Sequence, residues 1–198
     1  ILSSNQHVFW SNLMNKPQEV VLKIIDKYCL KNKIQYSILL RPKEKTSSNE
    51  IKYFERFKKK NKLNYKLKEG KNKYDPYNIC DSYDLTITLD STLGYENISR
   101  GNKTFFLPIR EKFFNMKIKN MFIWNIKKLK KSFIWEDNMD KNIILSKLDK
   151  VFKTKKQSYF KLLKSTTQKK FFYFDKNNAT IKNLIRKEKK NLLVNKFE

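Results

Sequence analysis

Glycine is scarce in this sequence: of 198 residues, only Gly70, Gly94 and Gly101 are glycines. Phosphate-binding loops of the G-x-G-x-x-G and G-x-x-x-x-G-K types need several glycines at fixed spacing, and neither pattern occurs. Collagen-like repeats and glycine-rich linkers are excluded for the same reason. If this chain binds a nucleotide, it must do so without a glycine-rich loop.

Histidine and cysteine are also sparse. His7 is the only histidine, and no nucleophile-elbow motif accompanies it, which disfavours hydrolase chemistry. His7 follows a possible first strand and could face a cleft as a general base, or it could be a surface or packing residue. Cys29 and Cys80 lie in apolar stretches without a pairing pattern, which predicts reduced thiols in the core.

No run of 18 apolar residues occurs, and the first residues do not resemble a signal peptide. We therefore expect a cytoplasmic protein. Because the chain starts at Ile1 rather than Met, we expect it to be a fragment of a longer one. Nor is there a D-x-D motif, which a metal-dependent transferase would use to hold a divalent ion; the nearest pair is Asp81 and Asp84. We expect no metal and no other cofactor.

The sequence is strongly basic, with 45 Lys and Arg against 19 Asp and Glu and a net charge of +26. Forty of the basic residues are lysine, and the chain has 21 asparagines and one alanine. These are the residues favoured by A/T-rich codons, so base composition explains much of the charge. A dedicated nucleic-acid surface is expected to use more arginine. Nucleic acid is therefore an unlikely partner, although a basic α/β module that binds it stays open as an alternative.

Apolar residues alternate between strand-like and helix-like patterns along the chain. Strands are predicted at 35–41, 63–67, 84–90 and 104–107, and helices at 17–30, from 48 onward, and at 91–100, 142–152, 157–163 and 178–193. This rhythm is typical of an α/β fold with a Rossmann-like parallel sheet flanked by helices. We assign 1–139 to that domain and 140–198 to a C-terminal helical extension packing on it.

Residues 111–135 mix lysines with aromatic residues and methionines. They could form a patch that lies on an anionic membrane surface, or they could supply core aromatics to a compact subdomain. Peripheral contact with the inner face of the membrane therefore stays open.

The segment 74–110 differs from the rest of the chain, because its five acidic residues outnumber its three basic ones. Its centre is the sequence D-S-T-L-G-Y-E at 90–96, where a predicted strand ends and a helix begins. A helix start offers free backbone N–H groups and a positive dipole end, which together can bind a diphosphate. Asp90 ends the strand, and Glu96 could accept hydrogen bonds from ribose hydroxyls. The alternative is a capped core helix, with Glu96 serving its dipole.

The motifs Y-D-P-Y at 74–77, C-D-S-Y-D at 80–84, S-T-L-G-Y-E at 91–96 and R-G-N-K at 100–103 resemble the donor-binding half of GT-B glycosyltransferases. The nearest resemblance is to bacterial surface-carbohydrate biosynthesis proteins. F-I-W at 133–135 and the helix after it resemble a later segment of the same proteins, so the resemblance covers about 35–160. The departures are Asn97 and Ser99, where small helix residues are expected.

The resemblance implies a nucleotide-sugar-binding domain whose donor phosphates lie at Ser91, Thr92, Leu93 and Gly94, with the ribose at Glu96. Arg41 at its strand end could pair with a phosphate, or it could be a surface arginine before Pro42. It further implies a saccharide or lipid-linked saccharide acceptor and an N-terminal acceptor domain outside this chain. Since a GT-B active site lies between two domains, we expect this chain alone to be inactive. A nucleotide-sugar epimerase of the same architecture is a further alternative.

Overall fold

The structure is a computed structural model that describes residues 4–40, 47–70, 72, 74–89, 91–115 and 133–165. For residues 4–14, 47–49, 111 and 164–165 it describes the backbone alone. The predicted helix at 178–193 lies outside the described residues, as does most of the aromatic and basic segment 111–135.

The described residues contain seven helices and four strands. In chain order these are α1 (Ser4–Lys31), β1 (Ser37–Leu40), α2 (Ser47–Asn61), β2 (Lys66–Glu69), α3 (Asp75–Asp81), β3 (Thr86–Thr88), α4 (Thr92–Ser99), β4 (Thr104–Phe106), α5 (Arg110–Phe114), α6 (Lys141–Lys153) and α7 (Lys156–Ser165). The alternation of strands and helices confirms a mixed α/β fold. Among the described helices, none has both the length and the apolar character that a membrane crossing requires.

The strands pair in parallel, as the sequence predicts, but they form two small sheets. β1 pairs with β2, and β3 pairs with β4. A single parallel bridge from Phe106 to Trp135 extends the second sheet. The two sheets are linked by the Tyr83 hydroxyl, which donates to Ser37 Oγ over 2.6 Å. In the described residues, no backbone ladder joins β1 to β3, so a continuous Rossmann-like sheet is not observed.

The first helix is longer than predicted. Pro17 was expected to start it, because proline is favoured in the first helical turn. α1 instead begins at Ser4 and contains Pro17. His7 therefore lies within the first turns of a helix and not in a loop that follows a strand. The backbone at Pro17 lacks one helical hydrogen bond, because proline has no N–H to donate.

The main core lies between α1, the second sheet and helices α6 and α7. It contains Val21, Ile24, Ile98, Phe105, Phe106, Ile134, Ile144, Leu148, Val151 and Tyr159, all less than a tenth exposed. A smaller core around Phe54, Phe57 and Tyr65 lies under α2. Cys29 and Cys80 are buried free thiols, as the sequence predicts. Burial raises the pKa of Cys29 to about 11, which disfavours a reactive thiolate there.

Candidate functional site: the start of helix α4

Helix α4 follows strand β3 with three residues between them, at the carboxyl end of a parallel pair. Ser91 is its N-cap, with an extended backbone and a side-chain oxygen that accepts from the Leu93 N–H over 3.3 Å. The Ser91 N–H in turn donates to Thr88 Oγ1 over 3.1 Å. These contacts fix Ser91 as the helix cap that the sequence predicts, whereas β3 ends at Thr88 and the predicted strand extends to position 90.

The donors that stay available at this helix start are few. The Leu93 N–H is taken by the Ser91 hydroxyl, and the Gly94 N–H donates to the Ser91 carbonyl over 3.1 Å. Ser91 and Thr92 are exposed, and Leu93 is half-buried. The Thr92 N–H has no partner among the described residues. That N–H and the two hydroxyls are therefore the groups that an incoming phosphate could meet.

Gly94 is buried, and its lack of a side chain serves packing. A Cβ at this position would lie 2.5 Å from Thr88 Cγ2 and 2.8 Å from Phe106 Cε1. The absence of a Cβ at a glycine allows close approach either by a ligand or by a neighbouring part of the chain. The structure shows that the side chains of β3 and β4 approach Gly94.

Glu96 is held by a partner that the sequence reading did not single out. The Tyr77 hydroxyl, on α3, donates to Glu96 Oε2, and this bond raises the pKa of Tyr77 above its usual value. Glu96 is only partly buried, and Oε1 has no partner among the described residues. One oxygen of the carboxylate is thus fixed while the other can accept a further hydrogen bond. Tyr77 belongs to the Y-D-P-Y motif, but no local pattern in the sequence pairs it with Glu96.

The R-G-N-K motif at 100–103 builds structure around this helix. Arg100 pairs with Asp81 and holds the pKa of that carboxyl below its usual value. Asn102 Nδ2 also donates to Asp81, over 2.6 Å. Gly101 has a φ of 87°, which glycine adopts without strain. Arg100 is therefore committed to an ion pair that ties α4 to α3.

Asn97 occupies a position where the resemblance leads one to expect a small residue. It is buried, and its amide donates to Thr86 Oγ1 over 2.9 Å and to Thr104 Oγ1 over 3.1 Å. Its own oxygen accepts from Asn102 over 3.1 Å. The departure from the family pattern is thus accommodated by a satisfied polar network between α4 and the two strands.

Lys103 completes the C-terminus of helix α6. Its ammonium donates to the carbonyls of Phe152 over 2.7 Å and Thr154 over 2.9 Å, and it contacts that of Val151 at 3.3 Å. A cation at a helix C-terminus satisfies free carbonyls and the negative dipole end. Desolvation lowers the pKa of Lys103. The lysine of this motif is therefore a structural cap.

Three other candidates cannot be placed by their side chains. Arg41 and Asp90 lie outside the described residues, and of His7 only the helical backbone is described. Across the described ranges, no three His, Cys, Asp or Glu side chains group together as metal ligands would.

The fold and the helix start define a parallel α/β protein with an open Ser-Thr turn at a strand's carboxyl end. The sequence model of one family, described as "putative O-antigen biosynthesis protein", matches residues 1–189, and the chain belongs to that family. This membership supports the expected role in surface-carbohydrate biosynthesis. Neither the curated proteins nor the solved structures give a significant match.

Proposed function

We propose that this chain binds the nucleotide-sugar donor of a GT-B type glycosyltransferase in O-antigen biosynthesis. The observation that carries the proposal is the open start of α4, where exposed hydroxyls follow a parallel strand. Ligands of open α/β folds bind beyond the carboxyl ends of the strands. Membership of an O-antigen biosynthesis family supports the choice of a sugar donor over other phosphate ligands.

The donor phosphates bind at Ser91 and Thr92. The hydroxyls and the Thr92 N–H donate to phosphate oxygens, and the positive end of the helix dipole favours the negative charge. Because the capping bonds occupy the Leu93 and Gly94 N–H groups, these two residues shape the turn and do not donate. Arg41, the residue directly after β1, is the cation that would balance the phosphates.

Glu96 binds the ribose through Oε1. The Tyr77 bond to Oε2 orients the carboxylate before the ligand arrives, which lowers the entropy lost on binding. The donor is a substrate, and the proposed site uses neither a metal nor another cofactor. The acceptor is a saccharide or a lipid-linked saccharide.

Calorimetric titration of the Glu96→Ala variant tests the site, using a nucleoside diphosphate selected from a thermal-shift panel. Removing the carboxylate should weaken binding by about 1.5–3 kcal/mol, or about ten- to a hundredfold. Tyr77→Phe keeps the carboxylate and should weaken binding less. Glu55→Ala removes an exposed carboxylate of α2 and should leave the affinity unchanged.

Equal affinities for the wild type and Glu96→Ala would contradict the ribose role. Glu96 would then be a structural partner of Tyr77, and Glu96→Ala and Tyr77→Phe would lower the free energy of unfolding by similar amounts. Binding of single-stranded RNA that falls steeply with salt, without nucleoside diphosphate binding, would favour the nucleic-acid alternative. Conversion of the nucleotide-sugar to its epimer would favour the epimerase.

A further inference from the structure

An open cleft of about 220 Å³ lies between helices α1 and α2, at some distance in sequence from the α4 site. Its described lining consists of Lys16, Glu19 and Lys23 from α1 and Tyr53, Arg56, Phe57, Lys60 and Asn61 from α2. Four cations thus face one carboxylate. Drug-sized ligand pockets measure about 300–1,000 Å³, so this cleft suits a smaller group.

The single carboxylate is already engaged. Glu19 accepts a hydrogen bond from the Tyr53 hydroxyl, and it pairs with Lys16 over 3.4 Å. Burial, and to a smaller extent the hydrogen bond to Glu19, raises the pKa of Tyr53, so that the phenol stays protonated. Glu19 therefore joins the two helices and leaves the other three cations uncompensated.

Those three cations have no carboxylate partner within the described part of the chain. Lys23 lies over the Phe57 ring, 5.6 Å from its centre, while Arg56 and Lys60 are exposed one helical turn apart on α2. A solvated lysine face is the ordinary result of a lysine-rich composition. Arg56, however, is one of only five arginines in the chain, and the composition does not account for an arginine at the cleft.

We propose that the α1–α2 cleft is a second anion site that binds a diphosphate group, separate from the donor site at α4. Phosphate groups carry about one to two negative charges each and several acceptor oxygens. Arg56 can bind two of these oxygens at once, whereas Lys23 and Lys60 act as point charges beside it. The side chains of Tyr53 and Phe57 line the cleft beside these charged groups.

The test is calorimetric titration of the full chain with inorganic pyrophosphate. The double variant Arg56→Gln/Lys60→Gln should bind at least about tenfold more weakly. Lys52→Gln/Lys59→Gln, which removes two exposed cations of α2 outside the cleft lining, should change the affinity by less than about twofold. Glu19→Gln should bind pyrophosphate more tightly, because it removes the carboxylate while keeping an acceptor for Tyr53.

A second arm identifies the source of the diphosphate. Phosphatidylcholine vesicles carrying a polyprenyl diphosphate compete with pyrophosphate if the ligand is a lipid headgroup, and a soluble nucleoside diphosphate competes if it is free. Either result supports the site, provided that the same competitor no longer displaces pyrophosphate from the Arg56→Gln/Lys60→Gln variant. An equal loss in the two double variants, no pyrophosphate binding by the wild type, or binding of single-stranded RNA in preference to pyrophosphate would overturn the proposal. Because Glu96→Ala lies outside the cleft, it should leave pyrophosphate binding in the cleft unchanged.

Discussion

Gly94 shows most directly how one residue couples the α4 site to the sheet beneath it. Thr88 is β-branched and has few rotamers available, and Phe106 is almost fully buried, so neither side chain can give way easily. The helix can approach β3 and β4 this closely only because position 94 lacks a Cβ.

We therefore expect Gly94→Ala to destabilise the protein by about 1–3 kcal/mol through overpacking. Alanine is a better helix former than glycine by about 1 kcal/mol, which reduces the loss without cancelling it. The midpoint of urea unfolding measures the change. Ser99→Ala, at an exposed position of the same helix, is the control and should be close to neutral. A Gly94→Ala protein as stable as the wild type would mean that the helix can move away from the strands.

Among secondary-structure elements, α6 depends on a residue that is far away in sequence. Lys103 Nζ lies at its C-terminus and contacts three backbone carbonyls. Lys103→Met keeps the apolar stem but leaves buried acceptors unsatisfied, which costs about 1–3 kcal/mol. At about 2–4 °C per kcal/mol for a chain of this size, the melting temperature should fall by several degrees.

The matched control is Lys150→Met, which removes an exposed lysine from the last turn of the same helix. It keeps the Lys103 contacts and should lower the melting temperature by less than Lys103→Met does. Equal losses in the two variants would show that general charge near the helix end matters more than the buried cap.

The extents of the helices and strands were largely predictable, because local periodicity determines them. The predicted helix 91–100 is one residue longer than α4 at each end, and the predicted strand 104–107 is one residue longer than β4 at its end. The predicted second strand, 63–67, lies too early in the chain, because the observed strand is Lys66–Glu69. Leu63 and Tyr65 alternate with polar residues because their side chains enter the core before the strand begins. Pro17 indicates a helix start, because the first turn is the commonest helical position of proline, but α1 begins 13 residues earlier.

The chemistry of the candidate site was less predictable. The Ser91 cap follows from the local sequence, whereas the Tyr77–Glu96 bond and the Asn97 network join residues from different elements. Local patterns do not specify such contacts, which appear only once the helices pack on the strands. The convergence of Arg56 and Lys60 with Lys23 likewise depends on how α1 and α2 meet.

Across the molecule, many tyrosines are held neutral. Among the described residues, burial is the main cause that raises the pKa of six tyrosines. It raises the pKa of Tyr95 to about 12, and it raises that of five others above the usual value: Tyr28, Tyr36, Tyr53, Tyr65 and Tyr159. A group whose pKa is higher in the folded state contributes stability below its unfolded pKa and loses it as the pH rises further. We therefore expect alkaline destabilisation to begin near pH 10, the usual tyrosine pKa.

Lysines lose their charge in the same range, so the informative comparison is between the wild type and Tyr159→Phe. Tyr159 is fully buried and donates to the Thr104 carbonyl over 2.7 Å. The variant should be less stable at neutral pH, and the difference in unfolding free energy should narrow by up to about 1.4 kcal/mol per pH unit above about pH 10. A difference that stays constant from neutral to alkaline pH would show that Tyr159 ionises equally well in both states.

The packing of α1 against α6 has a consequence for synthesis. The Tyr28 hydroxyl bonds to Asp149, 121 residues later in the chain. At about 5–20 residues per second, the ribosome needs roughly 6 to 24 s to add that length. During this time the part of the apolar face of α1 that packs on α6 has no native partner and is available to a chaperone or to another chain. Production of this protein should therefore be sensitive to translation speed and chaperone supply.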